Sequence, residues 1–265
     1  MTSPLILITN DDGYQASGIR DLARAVAPLG DIVIVAPDGS RSGAAASISS
    51  TTPVSVELLS PALFPPHSVL YSCTGTPVDC IKLALERIVP RRPDLILSGI
   101  NHGDNASISI HYSGTMGAVL EGCMKGIPSI GFSLWLQRGE CYENHPLSAQ
   151  ALDAIADLCR RVILQGLPQD VCLNVNFPAD QFRGCRVCRQ ARGSWSAEWF
   201  PREDGTFQLT GQFTDLEPEA TDTDFAALRA GYASIVPVTV DMTAHNALTH
   251  VQGIIDKVSW LKGNG

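Results

Sequence analysis

Short runs that are apolar at nearly every position, separated by stretches with helical periodicity, fill the first two-thirds of the chain and constrain its fold more than any other feature. Leu5–Thr9, Ile32–Ala36, Leu95–Ser98, Ser129–Phe132 and Leu173–Val175 are the strand candidates. Most lack the polar alternation of a half-solvated strand, which suits parallel strands covered on both faces. The segments between them carry helix signals. Ile19, Leu22, Ala23 and Val26 recur on one face behind Ser17, the expected cap. Thr76-Pro77-Val78-Asp79 joins a capping hydroxyl, a proline at the first helical position and a first-turn acid. A third helix is predicted from Gly114 to Gly126, with Pro128 blocking continuation, and a fourth from about Ser148 to Gln165. The alternation predicts an α/β fold built on a mostly parallel sheet.

After Pro178 the pattern changes. Aromatic-rich segments, Trp195 to Phe200 and Thr206 to Phe213, flank the hairpin turn signal Asp204-Gly205. A short helix near Phe225 to Ala230, a strand near Ser234 to Val240 and a terminal helix near Val251 to Leu261 follow. The 265 residues, 45% of them hydrophobic, read as one domain spanning 1–265, with a core over about 1–178 and an appendage over about 179–265. Trp195, Trp199 and Phe200 suit either an exposed interaction surface or the aromatic core of that appendage.

The formal charge of −8, with no Lys/Arg run longer than a pair, argues against nucleic acid or an anionic membrane as partner, while leaving room for a small phosphate ester. The longest uncharged stretch, Leu58 to Val78, is broken by Pro61, Pro65, Pro66 and Pro77, so no membrane span is expected. The only early apolar run, Leu5 to Ile8, is too short for a signal peptide, which gives a cytoplasmic expectation. Eight scattered cysteines fit reduced, mostly buried thiols. Cys185 and Cys188 form a C-x-x-C with no second pair at zinc-site spacing.

The sharpest local feature is Asn10-Asp11-Asp12-Gly13, directly after the first strand. Adjacent carboxylates repel, and a hard divalent cation is the simplest neutraliser. In open parallel sheets the site forms beyond the carboxyl ends of the strands. Ser42 follows the second strand and Asn101 the strand at Leu95–Ser98, so neutral oxygens from both loops can complete an oxygen shell suited to magnesium or manganese. Ser113-Gly114-Thr115 opens the third helix, where amide donors and the positive dipole end face an anion. His102 and His111 lie on loops from which a leaving oxygen can be protonated, or serve as loop hydrogen-bonders. P-loop, G-x-G-x-x-G, H-E-x-x-H and G-x-S-x-G motifs do not occur.

Taken in order, Asn10-Asp11-Asp12-Gly13, Ala36-Pro37-Asp38 with Arg41-Ser42-Gly43, Thr74-Gly75-Thr76-Pro77 with Asp79, Ser98-Gly99-Ile100-Asn101 and Tyr112-Ser113-Gly114-Thr115 resemble the signatures of the SurE survival-protein nucleotidases. Asp222-Thr223-Asp224, Gly231-Tyr232 and Val236-Pro237 followed by Asp241 resemble that family's closing signature. The resemblance implies a Rossmann-like three-layer α/β/α core with a C-terminal hairpin and helix extension used in homodimers or homotetramers. It implies a metal-dependent phosphatase of nucleoside 5′- and 3′-monophosphates with one Mg2+ or Mn2+ per subunit; metal-activated water is the expected nucleophile, with direct attack by Asp11 to form an aspartyl-phosphate as the alternative. Short-chain polyphosphate is a further candidate substrate. Carried over by motif, Asp11, Asp12, Ser42 and Asn101 ligate the metal, and Asn105, Ser113, Gly114 and Thr115 hold the phosphate. Asp11, Asp12, Asn105 and Ser113 are the expected catalytic set. A non-catalytic metal or phosphate sensor is the alternative function.

Overall fold

The computed structural model describes residues 3–136 and 140–256. In chain order the elements are β1 (Leu5–Thr9), α1 (Ser17–Val26), β2 (Asp31–Pro37), β3 (Val56–Leu59), β4 (Val69–Cys73), α2 (Pro77–Leu83), β5 (Leu95–His102), α3 (Gly114–Met124), β6 (Ser129–Trp135), α4 (Ala149–Gln165) and β7 (Val171–Pro178). Then follow β8 (Cys185–Val187), β9 (Gly193–Ser196), β10 (Trp199–Pro201), β11 (Phe207–Leu209), β12 (Gln212–Asp215), α5 (Asp224–Arg229), β13 (Ala233–Thr239) and α6 (Leu248–Ile255). The expected continuation of the terminal helix to Leu261 lies outside the described residues.

Nine strands form one sheet in the order β3-β4-β2-β1-β5-β6-β7-β13-β8. The central run from β4 to β7 is parallel, whereas β3 and β13 pair antiparallel with their neighbours β4 and β7. The fold is thus Rossmann-like. The period-two alternation of β1 splits its side chains between two cores: Ile6 and Ile8 pack with Ile19 and Leu22 of α1 and Ile155 of α4, while Leu5 and Leu7 pack with Cys80 and Ile81 of α2 and Ala118 of α3. Both sheet faces are covered, which is why these runs are apolar throughout.

Local chemistry sets the helix starts. Thr76 and Asp79 make the reciprocal capping box around Pro77, Ser113 accepts the Met116 amide, and Ser148 accepts the Ala151 amide. Ser17 is the first helical residue instead of the cap, which falls at Ala16 without a side-chain bond. The Ser17 hydroxyl instead donates to Glu143 at 3.0 Å and accepts from Arg20 at 2.8 Å. The segment after 178 does not stand apart from the core sheet: β13 lies against β7 and β8 against β13. The part that projects is the two-stranded arm β9–β12. Among the described residues no helix is long and apolar enough to cross a membrane.

Candidate functional site

The sheet order reverses between β1 and β5, the switch point at which open α/β sheets form their crevice. From β1 the chain enters a turn braced by Asn10, whose Nδ2 donates to the Gly13 carbonyl at 2.9 Å and whose Oδ1 accepts the Gly13 amide at 3.2 Å. Gly13 turns at φ +100°, a conformation strained for a residue with a side chain, and a Cβ there would lie 3.2 Å from the Gly39 backbone. The turn delivers both carboxylates toward neighbouring strand ends.

Asp11 is buried, and its Oδ1 accepts the Thr115 hydroxyl at 2.6 Å. Its main-chain carbonyl accepts the Arg41 amide at 2.6 Å, drawing the loop that carries Ser42 toward the site. Asp12 Oδ2 accepts the His102 amide at 3.1 Å, linking the ends of β1 and β5. Burial, reinforced by the Asp12 charge, pushes the Asp11 carboxyl up from 3.8 to about 6 despite the Thr115 bond. Burial also raises Asp12, against the pull of His102. The interactions acting on the two carboxyls include no lysine or arginine.

A cavity of about 410 Å³ opens here, lined by Asp11, Ser42, Asn101, Asn105 and Ser113. Asn101 Nδ2 donates to the Gly103 carbonyl at 2.8 Å, which leaves the carboxamide oxygen as the free acceptor. The Ser42 and Ser40 hydroxyls share a 2.9 Å hydrogen bond. Asn105 is fixed from below: Nδ2 donates to Ser133 at 2.8 Å, its amide to Asn176 at 2.7 Å, and its carbonyl accepts from Asn174 at 2.8 Å. Ser113 uses an oxygen lone pair to cap α3, so its O–H can still donate.

Asp12, Gly114 and Thr115 do not line the cavity among the described residues. Thr115 serves Asp11 directly. Gly114 serves it by omission, since a Cβ there would sit 2.9 Å from Asp11 Cβ and 3.0 Å from Oδ2. His102 reaches the cavity, its ring stacked 4.9 Å from Tyr142, whereas His111 lines a different cavity.

Sequence reasoning did not place Asp104 or the arm at the site. Asp104 lines the cavity and is pushed up to about 6 by burial. Trp195, Glu198, Leu209, Thr210 and Gly211 of the arm also line the cavity. The signal for the arm was Asp204-Gly205 centred between two aromatic segments, but its contact with the cavity depends on how the hairpin folds back. Cys185 is exposed, and the Cys188 thiol donates to the Arg186 carbonyl at 3.2 Å.

The buried Asp11 carboxylate, the half-buried Asp12 carboxylate next to it, the Asn101 carboxamide oxygen, which meets no donor among the described residues, and the Ser42 hydroxyl are all oxygen donors, the chemistry that suits a hard divalent ion. Among the described residues no group of three or more His, Cys, Asp or Glu converges, so neutral oxygens must complete any such shell.

The family model described as survival protein SurE matches residues 6–197. A 5′-nucleotidase SurE from Phocaeicola vulgatus is 46% identical over 257 residues, covering 94% of this chain and 96% of that one. One from Bacteroides thetaiotaomicron is 47% identical over 262 residues, covering 97% and 98%. The crystal structure of SurE protein from Aquifex aeolicus matches with a TM-score of 0.78 at 32% identity, over 96% of this chain and 100% of that one.

Proposed function

The chain belongs to the survival protein SurE family and is a 5′-nucleotidase, and from that premise we propose a divalent-metal-dependent phosphomonoesterase that releases phosphate from nucleoside 5′- and 3′-monophosphates. The observation that supports the metal is the buried Asp11 carboxylate beside half-buried Asp12, whose charge raises it, with no lysine or arginine among the described residues acting on either carboxyl and the His102 ring drawing only on Asp12. Asp11, Asp12, Ser42 and Asn101 would hold Mg2+ or Mn2+. When bound, the ion supplies polarisation of the phosphoryl group and a water of lowered pKa.

The chain's own groups do the rest. The Ser113 hydroxyl, which lines the cavity at the amino end of α3, offers a donor to the equatorial phosphoryl oxygens, where charge develops, while the Thr115 amide serves Asp11 and the Met116 amide is capped by Ser113. Asn105, immobilised by Ser133, Asn174 and Asn176, presents its second amide hydrogen from a fixed position. Thr115 holds Asp11 in one orientation, which keeps the carboxylate from wandering toward the substrate. The same proposal includes cytoplasmic residence and self-association through the segment after 178. Supporting the latter, α6 leaves Leu248, Val251 and Ile254 exposed.

The test is phosphate release from AMP, GMP, their 3′ isomers and a short polyphosphate, with Mg2+, with Mn2+ and in EDTA. Release from the 5′-monophosphates that stops in EDTA is expected, as is its loss in a folded Asp12→Asn variant. Full activity in EDTA overturns the metal assignment, and a phosphorylated Asp11 peptide trapped by rapid quench overturns the water route.

A further inference from the structure

The phosphate-handling groups occupy only part of the cavity lining. We infer that the kinked arm forms the nucleobase side of the same cavity, with Trp195 as the stacking residue and the Glu198 carboxylate as acceptor for base N–H groups, so that guanine nucleotides are favoured. This inference rests on the nucleotidase assignment above.

The arm is interrupted where it meets the cavity. Trp195 pairs with Phe213 on the β9–β12 ladder and Trp199 pairs with Leu209 on β10–β11, but between these pairs the regular ladder stops. Ala197 at φ +47° and Gly211 at φ +58° mark the break, bridged by the Thr210 amide donating to the Glu198 carbonyl at 2.7 Å. Glu198, Thr210 and Gly211 line the cavity at this break.

Trp195 is held in place before any ligand arrives. Its ring lies 5.4 Å from Phe213 at 68°, Phe213 lies 4.9 Å from Phe225, and Phe225 lies 6.1 Å from Trp135 at the end of β6. Gly211 completes the seat: a Cβ there would come within 2.8 Å of the indole. A large, fixed aromatic group beside the exposed Leu209 is a surface on which a flat heterocycle stacks.

Charge orients the ligand. The Glu198 carboxylate makes no hydrogen bond or ion pair within the described residues and repels a phosphate, which is drawn instead to the amino end of α3. What a carboxylate accepts well is a pair of parallel N–H donors. Guanine offers such a pair in N1–H and its exocyclic amine, whereas adenine sets an acceptor nitrogen beside its amine.

The test compares kcat and KM for GMP, AMP and ribose 5-phosphate, which lacks a base, in the native protein, Trp195→Ala, Trp195→Phe and Glu198→Gln. Trp195→Ala is expected to raise KM for GMP about tenfold, at least fivefold more than for ribose 5-phosphate, with Trp195→Phe recovering most of the difference. Glu198→Gln is expected to erase a native preference for GMP over AMP. Equal losses on GMP and ribose 5-phosphate, or unchanged KM for GMP in Trp195→Ala, overturn the stacking role. Native discrimination against GMP overturns the Glu198 role. Absence of phosphate release from every nucleotide by the native protein would instead defeat the nucleotidase assignment.

Discussion

Removing the charge from Asp11 should stabilise the metal-free protein while destroying its activity. A carboxyl whose pKa is raised by folding adds no cost below its unfolded value, costs more as pH rises toward the folded value, and reaches full cost above it. For Asp11 those limits are 3.8 and about 6. At ~1.4 kcal/mol per pH unit the full cost is about 3 kcal/mol at pH 7.5. In Asp11→Asn this cost disappears, and Asn Oδ1 still accepts the Thr115 hydroxyl that lies 2.6 Å away. Against that gain stands the new amide donor, whose burial without a partner costs about 1–3 kcal/mol. A net gain of about 1 kcal/mol is therefore expected in urea unfolding at pH 7.5 with EDTA, reversing to a net loss of about 1–2 kcal/mol by about pH 4, where the native Asp11 is protonated and the amide cost alone remains. Saturating Mn2+ should stabilise the native protein at pH 7.5 and leave the variant little changed, because ligand binding to the folded state adds stability in proportion to affinity. Two results would refute the reasoning: a stability difference that does not change with pH, or equal stabilisation of both proteins by Mn2+.

Three other substitutions probe separate parts of the structure. Gly114→Ala places a Cβ 2.9 Å from Asp11 Cβ, so kcat for AMP should fall at least about tenfold while the melting temperature stays within a few degrees, since alanine suits a helix start. Asp224 accepts the amides of Ser107 at 2.8 Å, Ala191 at 3.0 Å and Phe225 at 2.8 Å, knitting the strand β5 loop to the base of the arm. Asp224→Ala strands these donors and should cost about 3 kcal/mol in urea unfolding, with KM rising more than kcat falls. Thr76→Ala removes the acceptor for the Asp79 amide at 3.1 Å and the donor to Ser47 at 2.8 Å, and should cost about 1–2 kcal/mol without altering kcat.

The elements legible from sequence were those buried on both faces. β1, β2, β5, β6 and β7 announce themselves because helices cover each side and most positions are apolar. β3 and β4 escaped notice for the opposite reason. β3 is an edge strand with Val56 and Leu58 exposed, and the prolines before β4 read as loop. At the site, the strand-end rule brought together Asp11, Ser42 and Asn101, the last inside the carboxyl end of β5 instead of the loop after it, and the helix-start signal added Ser113. The same rule did not reveal that the Thr115 hydroxyl goes to Asp11, because that depends on how closely Gly114 lets the helix approach. Trp195 was ambiguous between surface and subdomain core, and the folded arm makes it part of a cavity wall, a contact no local pattern encodes.

This division has a consequence for how specificity can vary. The proposed phosphate side stands on strand ends and a helix start whose key side chains are buried and hydrogen-bonded, Asp11 to Thr115, Asn105 to Ser133 and Ser113 to the Met116 amide, so a change there disturbs packing as well. The arm side is attached at its base, through the bonds of Asp224 and Ser107 to Ala191 and the aromatic chain from Trp195 to Trp135, and its distal residues Trp199, Phe200 and Phe207 are exposed. Substitutions in the distal arm therefore carry little packing cost. On the proposed assignment, phosphoryl chemistry falls on the buried strand ends, while the distal arm can change residues without moving the carboxylate pair.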